Sequence, residues 1–361
     1  MSMRIINKSL FYFSLFSFVS AQGFWGSEFP EQKIEYSPKT YVCYKVESPI
    51  LVDGKVDEPS WKNVDWTESF VDIEGSLKPA PFYDTKVKML WDDSYFYFAV
   101  TMEEPHVWAT LTARDAVIFK DNDFEIFLDP DGDTHNYYEL EVNAYETEWD
   151  LILLKPYHDG KKVAVDSWDI PGLITKVHVD GTLNDPSDMD KGWSVEIAIP
   201  WKALEECAPN FHPKEGEQWK VNFSRVQWDV EIEGDQYVKT DSPEFNWVWS
   251  PQGLIYMHMP DLWGMVQFTE TAPGQEKIEF KKSEIDQIRW ALRQVYYRQR
   301  NYYFKNQRYT ASLKELNLMN RPCEDVPWPP KIVITPSGWE AVASWDERSV
   351  IIRKDGKVWV E

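Results

Sequence analysis

The stretch "DNDFEIFLDPDGDTHNYYELEVN", Asp121 to Asn143, concentrates carboxylates and amides that could ligate a metal, act as an acid–base pair or read the hydroxyls of a ligand. Strand period two separates its faces: Phe124, Ile126 and Leu128 point one way, and Asp123, Glu125, Phe127 and Asp129 the other. On the return strand Tyr138, Leu140, Val142 and Ala144 form the apolar set, and Tyr137, Glu139, Glu141 and Asn143 the polar one. If the strands pair about Asp129 and Tyr137, Glu125 lies opposite Glu141 with Cβ atoms ~5 Å apart. Retaining glycosidases hold two carboxyls at about that separation. Catalysis also requires one pKa to be raised and the other lowered, and nothing nearby in the sequence is built to do so, so no residue is assigned as catalytic. An EF-hand loop would need Gly at the sixth position and Glu at the twelfth, which "DPDGDTHNYYEL" does not supply. A different calcium geometry through Asp129, Asp131 and Asp133 stays open, although Asp and Gly clustered here are more often turn formers. No cofactor is called for, with calcium at this turn as the alternative.

The elements that must position this hairpin are strands. From Ser48 to Phe268 short β-rich runs are broken every eight to twelve residues or so by Gly, Pro, Asp and Asn. "TKVKMLWDDSYFYFAVTM" reads as a hairpin turning at Asp92, Asp93 and Ser94, and "GWSVEIAIPW" alternates Val195, Ile197 and Ile199 with Ser194, Glu196 and Ala198. The expectation is a mainly β fold, an antiparallel β-sandwich of the jelly-roll type over 40–270. The pattern then changes. Ser283 can cap a helix with Ile285, Ile288, Leu292 and Val295 at helical spacing, and Ser312 with Glu315 predicts a second short helix. After a Pro-rich link, "KIVITPSGWEAVASWDERSVIIRKDGKVWV" predicts a meander of three or four strands with Asp355-Gly356 at a tight turn. Residues 280–361 are thus expected to form a small C-terminal α+β appendage. Its Tyr/Arg-rich helix either serves a protein partner or packs on its own chain.

Composition narrows the function. The chain has 361 residues and a net charge of −22, which repels phosphate backbones and anionic lipid surfaces, so nucleic acid is not an expected partner. Residues 1–21, with Arg4, Lys8 and an apolar run ending before Ser20-Ala21, read as a secretory signal peptide; a secreted or periplasmic protein without membrane insertion is expected. Cys43, Cys207 and Cys323 allow one internal disulfide at most, and no CxxC or CxxCH occurs. The 19 Trp, 18 Tyr and 19 Phe either fill a sandwich core or line a face that stacks on flat apolar ligands, sugar rings among them.

"PILVDGKVDEPSW", "FYDTKVKMLWDDSYFYFAVTMEEP", "DNDFEIFLDPDGDTHNYYELEVNA", "GWSVEIAIPWKAL" and "WKVNFSRVQW" follow one another in an order that resembles the family 9 carbohydrate-binding modules. The resemblance covers about residues 48–270 and implies a DOMON-like β-sandwich. In that family one terminal sugar is clamped between two Trp rings while polar strand residues read its hydroxyls. Carried across, the first Trp position falls on Phe119 and the second near Tyr256 to His258. The hydroxyl-reading acid matches Glu125 and the amide Asn143, while an Arg two residues before that amide is replaced by Glu141. The polar position on the next strand lands on Ser224 or Arg225. Trp149, Trp228, Trp247 and Trp249 are available to replace the missing rings, with core packing as the alternative for each. The expected carbohydrate-binding set is therefore Phe119, Glu125, Glu141, Asn143, Arg225, Trp249 and His258.

Three functions follow from this reading. The first is non-catalytic binding of a polysaccharide or oligosaccharide in support of glycan catabolism. The second is a haem-binding electron-transfer module of the DOMON type, with His258 and Met89 or Met102 as axial ligands. The third is a glycoside hydrolase using Glu125 and Glu141, in keeping with the family's association with O-glycosyl hydrolases.

Overall fold

The computed structural model describes residues 29–30 and 32–361; the signal peptide expected over 1–21 lies outside the described residues. Strands β1 (Thr40–Lys45), β2 (Val71–Asp72), β3 (Thr85–Trp91), β4 (Tyr95–Glu103), β5 (Asp123–Asp129), β6 (Tyr137–Asn143), β7 (Glu148–Leu153) and β8 (Ala164–Val165) make up the first half of the main sheet. The second half comprises β9 (Ile174–Asp180), β10 (Gly192–Pro200), β11 (Gln218–Gln227), β14 (Phe245–Val248) and β15 (Gly264–Thr269). Between β11 and β14 lies a separate hairpin of β12 (Val230–Glu233) and β13 (Gln236–Lys239).

Eleven of the thirteen strands run in the order β8-β7-β6-β5-β11-β15-β1-β3-β4-β10-β9, with β14 branching from β11 and β2 pairing with β14. The sheet is mainly antiparallel, but β1 pairs in parallel with both β15 and β3 and so makes it mixed. The sheet curls on itself. Its inner face brings Phe124, Ile126 and Leu128 of β5 together with Phe96 and Phe98 of β4, Val195 and Ile197 of β10 and Phe223 of β11 in one buried cluster. Burying such rings and branched chains contributes about 1.5–3 kcal/mol each. The alternation in β5 and β6 falls as the sequence predicts, with Tyr138, Leu140, Val142 and Ala144 also inside. The three cysteines are all free.

The C-terminal unit is a helix, Glu284–Asn306, against a four-stranded meander of β16 (Lys331–Thr335), β17 (Gly338–Trp345), β18 (Arg348–Arg353) and β19 (Val358–Val360). Ser283 caps the helix by accepting from Asp286 N, and Gln307 ends it in the left-handed region at φ 55°. Ile288, Ala291, Leu292 and Val295 pack on Trp339, Ala341, Val350, Ile352 and Val358. The second helix expected from Ser312 is only a turn. Ser312 Oγ does accept from Glu315 N, but Asn317 at φ 56° stops propagation one turn on, as that backbone region cannot continue a right-handed helix.

The Tyr/Arg side of the helix is packed against the sheet domain. Arg293 pairs with Asp261, Lys220 with Asp286, and Trp290 stacks on Tyr36 with ring centroids 4.3 Å apart. Asp159, in the loop after β7, accepts from Tyr296 Oη and, at 2.6 Å, from Arg300. The meander also returns to the hairpin turn: Lys357 pairs with Asp133 at 2.6 Å, and Val358 N donates to Asp133 O. Among the described residues no helix is long and apolar enough to cross a membrane.

Candidate functional site

The outer face of β5 and β6 is the one the sequence marks as chemically useful. The register pairs Glu125 with Glu141, Asp123 with Asn143 and Phe127 with Glu139, as the pairing about Asp129 and Tyr137 requires. β7 continues the face, with Trp149 opposite Glu141 and Leu151 opposite Glu139; on the other side Ser224 of β11 stands opposite Glu125.

This face is divided into two zones. Toward the hairpin turn it is apolar: Phe127, Tyr137, Leu151, Leu153 and Trp263 are buried together, with Tyr157 and Met257 packed over them. Toward the other end it is acidic. Asp123, Glu125, Glu139 and Glu141 are all buried, at 0%, 6%, 5% and 1% exposure. Burial pushes the Glu125 carboxyl up to about 7. Burial, reinforced by the neighbouring carboxylates, raises Asp123, Glu139 and Glu141 well above the usual range. Asp123 Oδ2 and Glu139 Oε2 are buried without a hydrogen-bond partner.

Aromatic rings rim the acidic zone. Phe119 is 38% exposed, its N–H donates to Glu141 Oε2 at 3.0 Å, and its ring centroid lies 6.5 Å from that of half-buried Trp149 at an angle of 32°. Trp228 holds the same segment from the other side, donating Nε1 to Phe119 O at 2.9 Å, with Lys239 Nζ 3.7 Å over its ring. His258 reaches the apolar zone, where Nδ1 meets Tyr137 Oη at 3.0 Å and the ring stands edge-on to Tyr157. Burial lowers its pKa to about 3, so it is neutral.

Phe119, Glu125, Glu141 and His258 are thus brought to one face, but three expected site residues are otherwise employed. Asn143 lies on the right side with its amide fully used: Nδ2 donates to Leu111 O and Asp121 Oδ2, and Oδ1 accepts from Tyr145 N and Thr147 N. It shapes the β6–β7 turn, so no donor or acceptor is left for a ligand. Arg225 belongs to the opposite face, because Ser224 takes the position beside Glu125 and alternation turns Arg225 inward. There it pairs with Glu104 at 2.9 Å, donates to Thr85 and Gln227 and lies over Trp247. Trp249 is also core, its ring lying on β15 so closely that a Cβ at Gly264 would come within 2.4 Å of it.

The haem geometry fails on the same ground: Met89 and Met102 are buried inside the curled sheet, on the other side from His258. The acidic turn is occupied by its own backbone and the C-terminal unit. Asp129 accepts from Gly132 N and Thr134 N, Asp133 accepts from His135 N and pairs with Lys357, and Gly132 takes φ 63°. Asp123, Glu139 and Trp228 were outside the expected set. The first two carry the same strand parity as Glu125 and were within reach of the sequence; the place of Trp228 depends on how the β11–β12 segment folds back on Phe119.

A curled mixed β-sheet with a carboxylate-bearing, ring-rimmed outer face is the frame of a ligand-binding β domain. Residues 52–222, just under half of the chain, match the family model described as "Carbohydrate family 9 binding domain-like". Two curated proteins match over 154 residues, 43% of this chain: the exoglucanase XynX of Acetivibrio thermocellus at 23% identity and the endo-1,4-beta-xylanase A of Thermoanaerobacterium saccharolyticum at 25%. The match spans only 12% and 11% of the length of those relatives. Among solved structures, a family 9 carbohydrate-binding module from Caldicellulosiruptor kristjanssonii in complex with cellotriose aligns at 17% identity and a TM-score of 0.39. The alignment covers 66% of this chain and 99% of that one.

Proposed function

We propose that the protein is a secreted or periplasmic, non-catalytic carbohydrate-binding protein that takes a glycan chain or oligosaccharide at the acidic end of the β5–β6–β7 face, in support of glycan breakdown. The observation that carries this reading is the adjacency of the half-exposed rings Phe119 and Trp149 to the Glu125–Glu141 pair. A pyranose offers an apolar face for rings and a girdle of hydroxyls for carboxylates that accept in pairs. The family match over 52–222 supports the same ligand class, as do relatives named as an exoglucanase and a xylanase. Binding is favoured over hydrolysis because burial pushes both carboxyls up, Glu141 further with the neighbouring carboxylates, and among the described residues no cation pairs with either to hold one ionised as the nucleophile or base that hydrolysis needs.

The test is calorimetry with cello- and xylo-oligosaccharides, preceded by a glycan array. Phe119→Ala should weaken binding about tenfold, the worth of one stacked ring. No binding to any glycan, or full affinity in both Phe119→Ala and Trp149→Ala, overturns the proposal.

A further inference from the structure

We infer that Asp123, Glu125 and Glu141 form a binding site for a divalent cation of the calcium class. Strand alternation places Asp123 and Glu125 on one side of β5, and the register sets Glu141 directly across from Glu125. One carboxylate oxygen from each residue lies within 4.8 Å of the others. Oxygens bound to a common ion at about 2.4 Å can be at most about 4.8 Å apart, so the three are gathered closely enough to share one.

Burial and charge point the same way. All three side chains are at least nine-tenths buried. Asp123 Oδ1 accepts from Val226 N, but Oδ2 has no partner, and an orphaned buried carboxylate oxygen is costly unless something positive meets it. Among the described residues, no lysine, arginine or histidine forms an ion pair with any of the three.

The other acidic clusters differ. Asp150 and Asp169 hold Arg114, and the turn cluster of Asp129, Asp131 and Asp133 holds Lys357 and accepts backbone N–H groups. In the cluster around Glu196, Asp53 is exposed and Glu58 only half-buried, and Glu196 spends both oxygens on Trp61 Nε1 and the N–H groups of Asp53 and Gly54. A donor set of oxygens alone selects a hard cation, and the irregular strand-borne arrangement suits calcium better than magnesium, which demands a near-octahedral shell. The site shares Glu125 and Glu141 with the proposed sugar face, but it is argued from the carboxylates alone and its test reads the ion without any sugar, so either reading can fail while the other stands.

The full chain, stripped with a chelator, is titrated with terbium, a luminescent calcium mimic. Trp149 stands across from Glu141 and should sensitise the emission. Calcium is expected to displace that signal and to raise the melting temperature. Glu141→Gln and Asp123→Asn should each weaken calcium binding by at least about tenfold, since each removes a charged ligand. Asp131→Asn at the hairpin turn should leave it unchanged. Melting in chelator shows whether each variant is folded, and the near-isosteric Gln and Asn keep the comparison fair. Absence of calcium binding to the wild type by calorimetry, wild-type affinity in both ligand variants, or loss confined to Asp131→Asn overturns the proposal.

Discussion

Asp159→Asn should loosen the C-terminal helix from the sheet domain, in a way that depends on pH with a definite sign. Asp159 is buried in the loop after β7, accepts from Tyr296 Oη and Arg300, and has His158 Nε2 at 3.2 Å. Burial alone would raise its carboxyl, but His158, Arg300 and Arg293 overcome this and hold it at about 2, against an ordinary value of 3.8. A folded-state pKa below the unfolded one gives stability that is fully present above the unfolded value and is lost as pH falls through the folded one. The shift corresponds to roughly 2 kcal/mol, lost between about pH 5 and pH 2. Replacement by Asn keeps the shape but leaves buried cations without their anion, which costs about 3–5 kcal/mol near neutral pH. Hydrogen exchange of the helix amides over 284–306, corrected for intrinsic rates, reads the local opening free energy. Wild type should exceed the variant by about 3–5 kcal/mol at pH 7, and the gap should shrink by roughly 2 kcal/mol on approaching pH 2. Equal protection at pH 7, or a gap that stays constant or widens on acidification, would refute the reasoning.

Arg225→Ala should destabilise the fold by about 3–5 kcal/mol, because it strands buried Glu104, while sugar affinity of the folded fraction stays at the wild-type level. Urea unfolding and calorimetry check the two halves, and a selective loss of affinity would return Arg225 to the binding face. Gly264→Ala should cost about 1–3 kcal/mol, read as a lowered melting temperature, since the new methyl would press on the Trp249 ring at 2.4 Å and that ring is enclosed by core. An unchanged melting temperature would mean Trp249 has room to move, contrary to its core placement.

The sequence by itself determined which side of each strand is apolar, the register of β5 on β6 and the Ser283 cap, because these depend on short-range periodicity and local hydrogen bonding. It therefore placed Glu125 opposite Glu141 correctly. Only the tertiary structure decided what lies over that face and which strands are neighbours. Hydrophobic alternation marks an inner face without saying which distant strand pairs with it, so the parallel seat of β1 between β15 and β3 was not legible. Nor does it tell a polar residue facing a ligand from one satisfied by its own chain. Asn143 serves its turn, Arg225 pairs inward with Glu104, and Trp249 fills core, for reasons that lie in residues far away in the chain. The same long-range packing took the helix's Tyr and Arg side chains for Asp159 and Asp261, and left three carboxylates on β5 and β6 buried without a positive partner among the described residues.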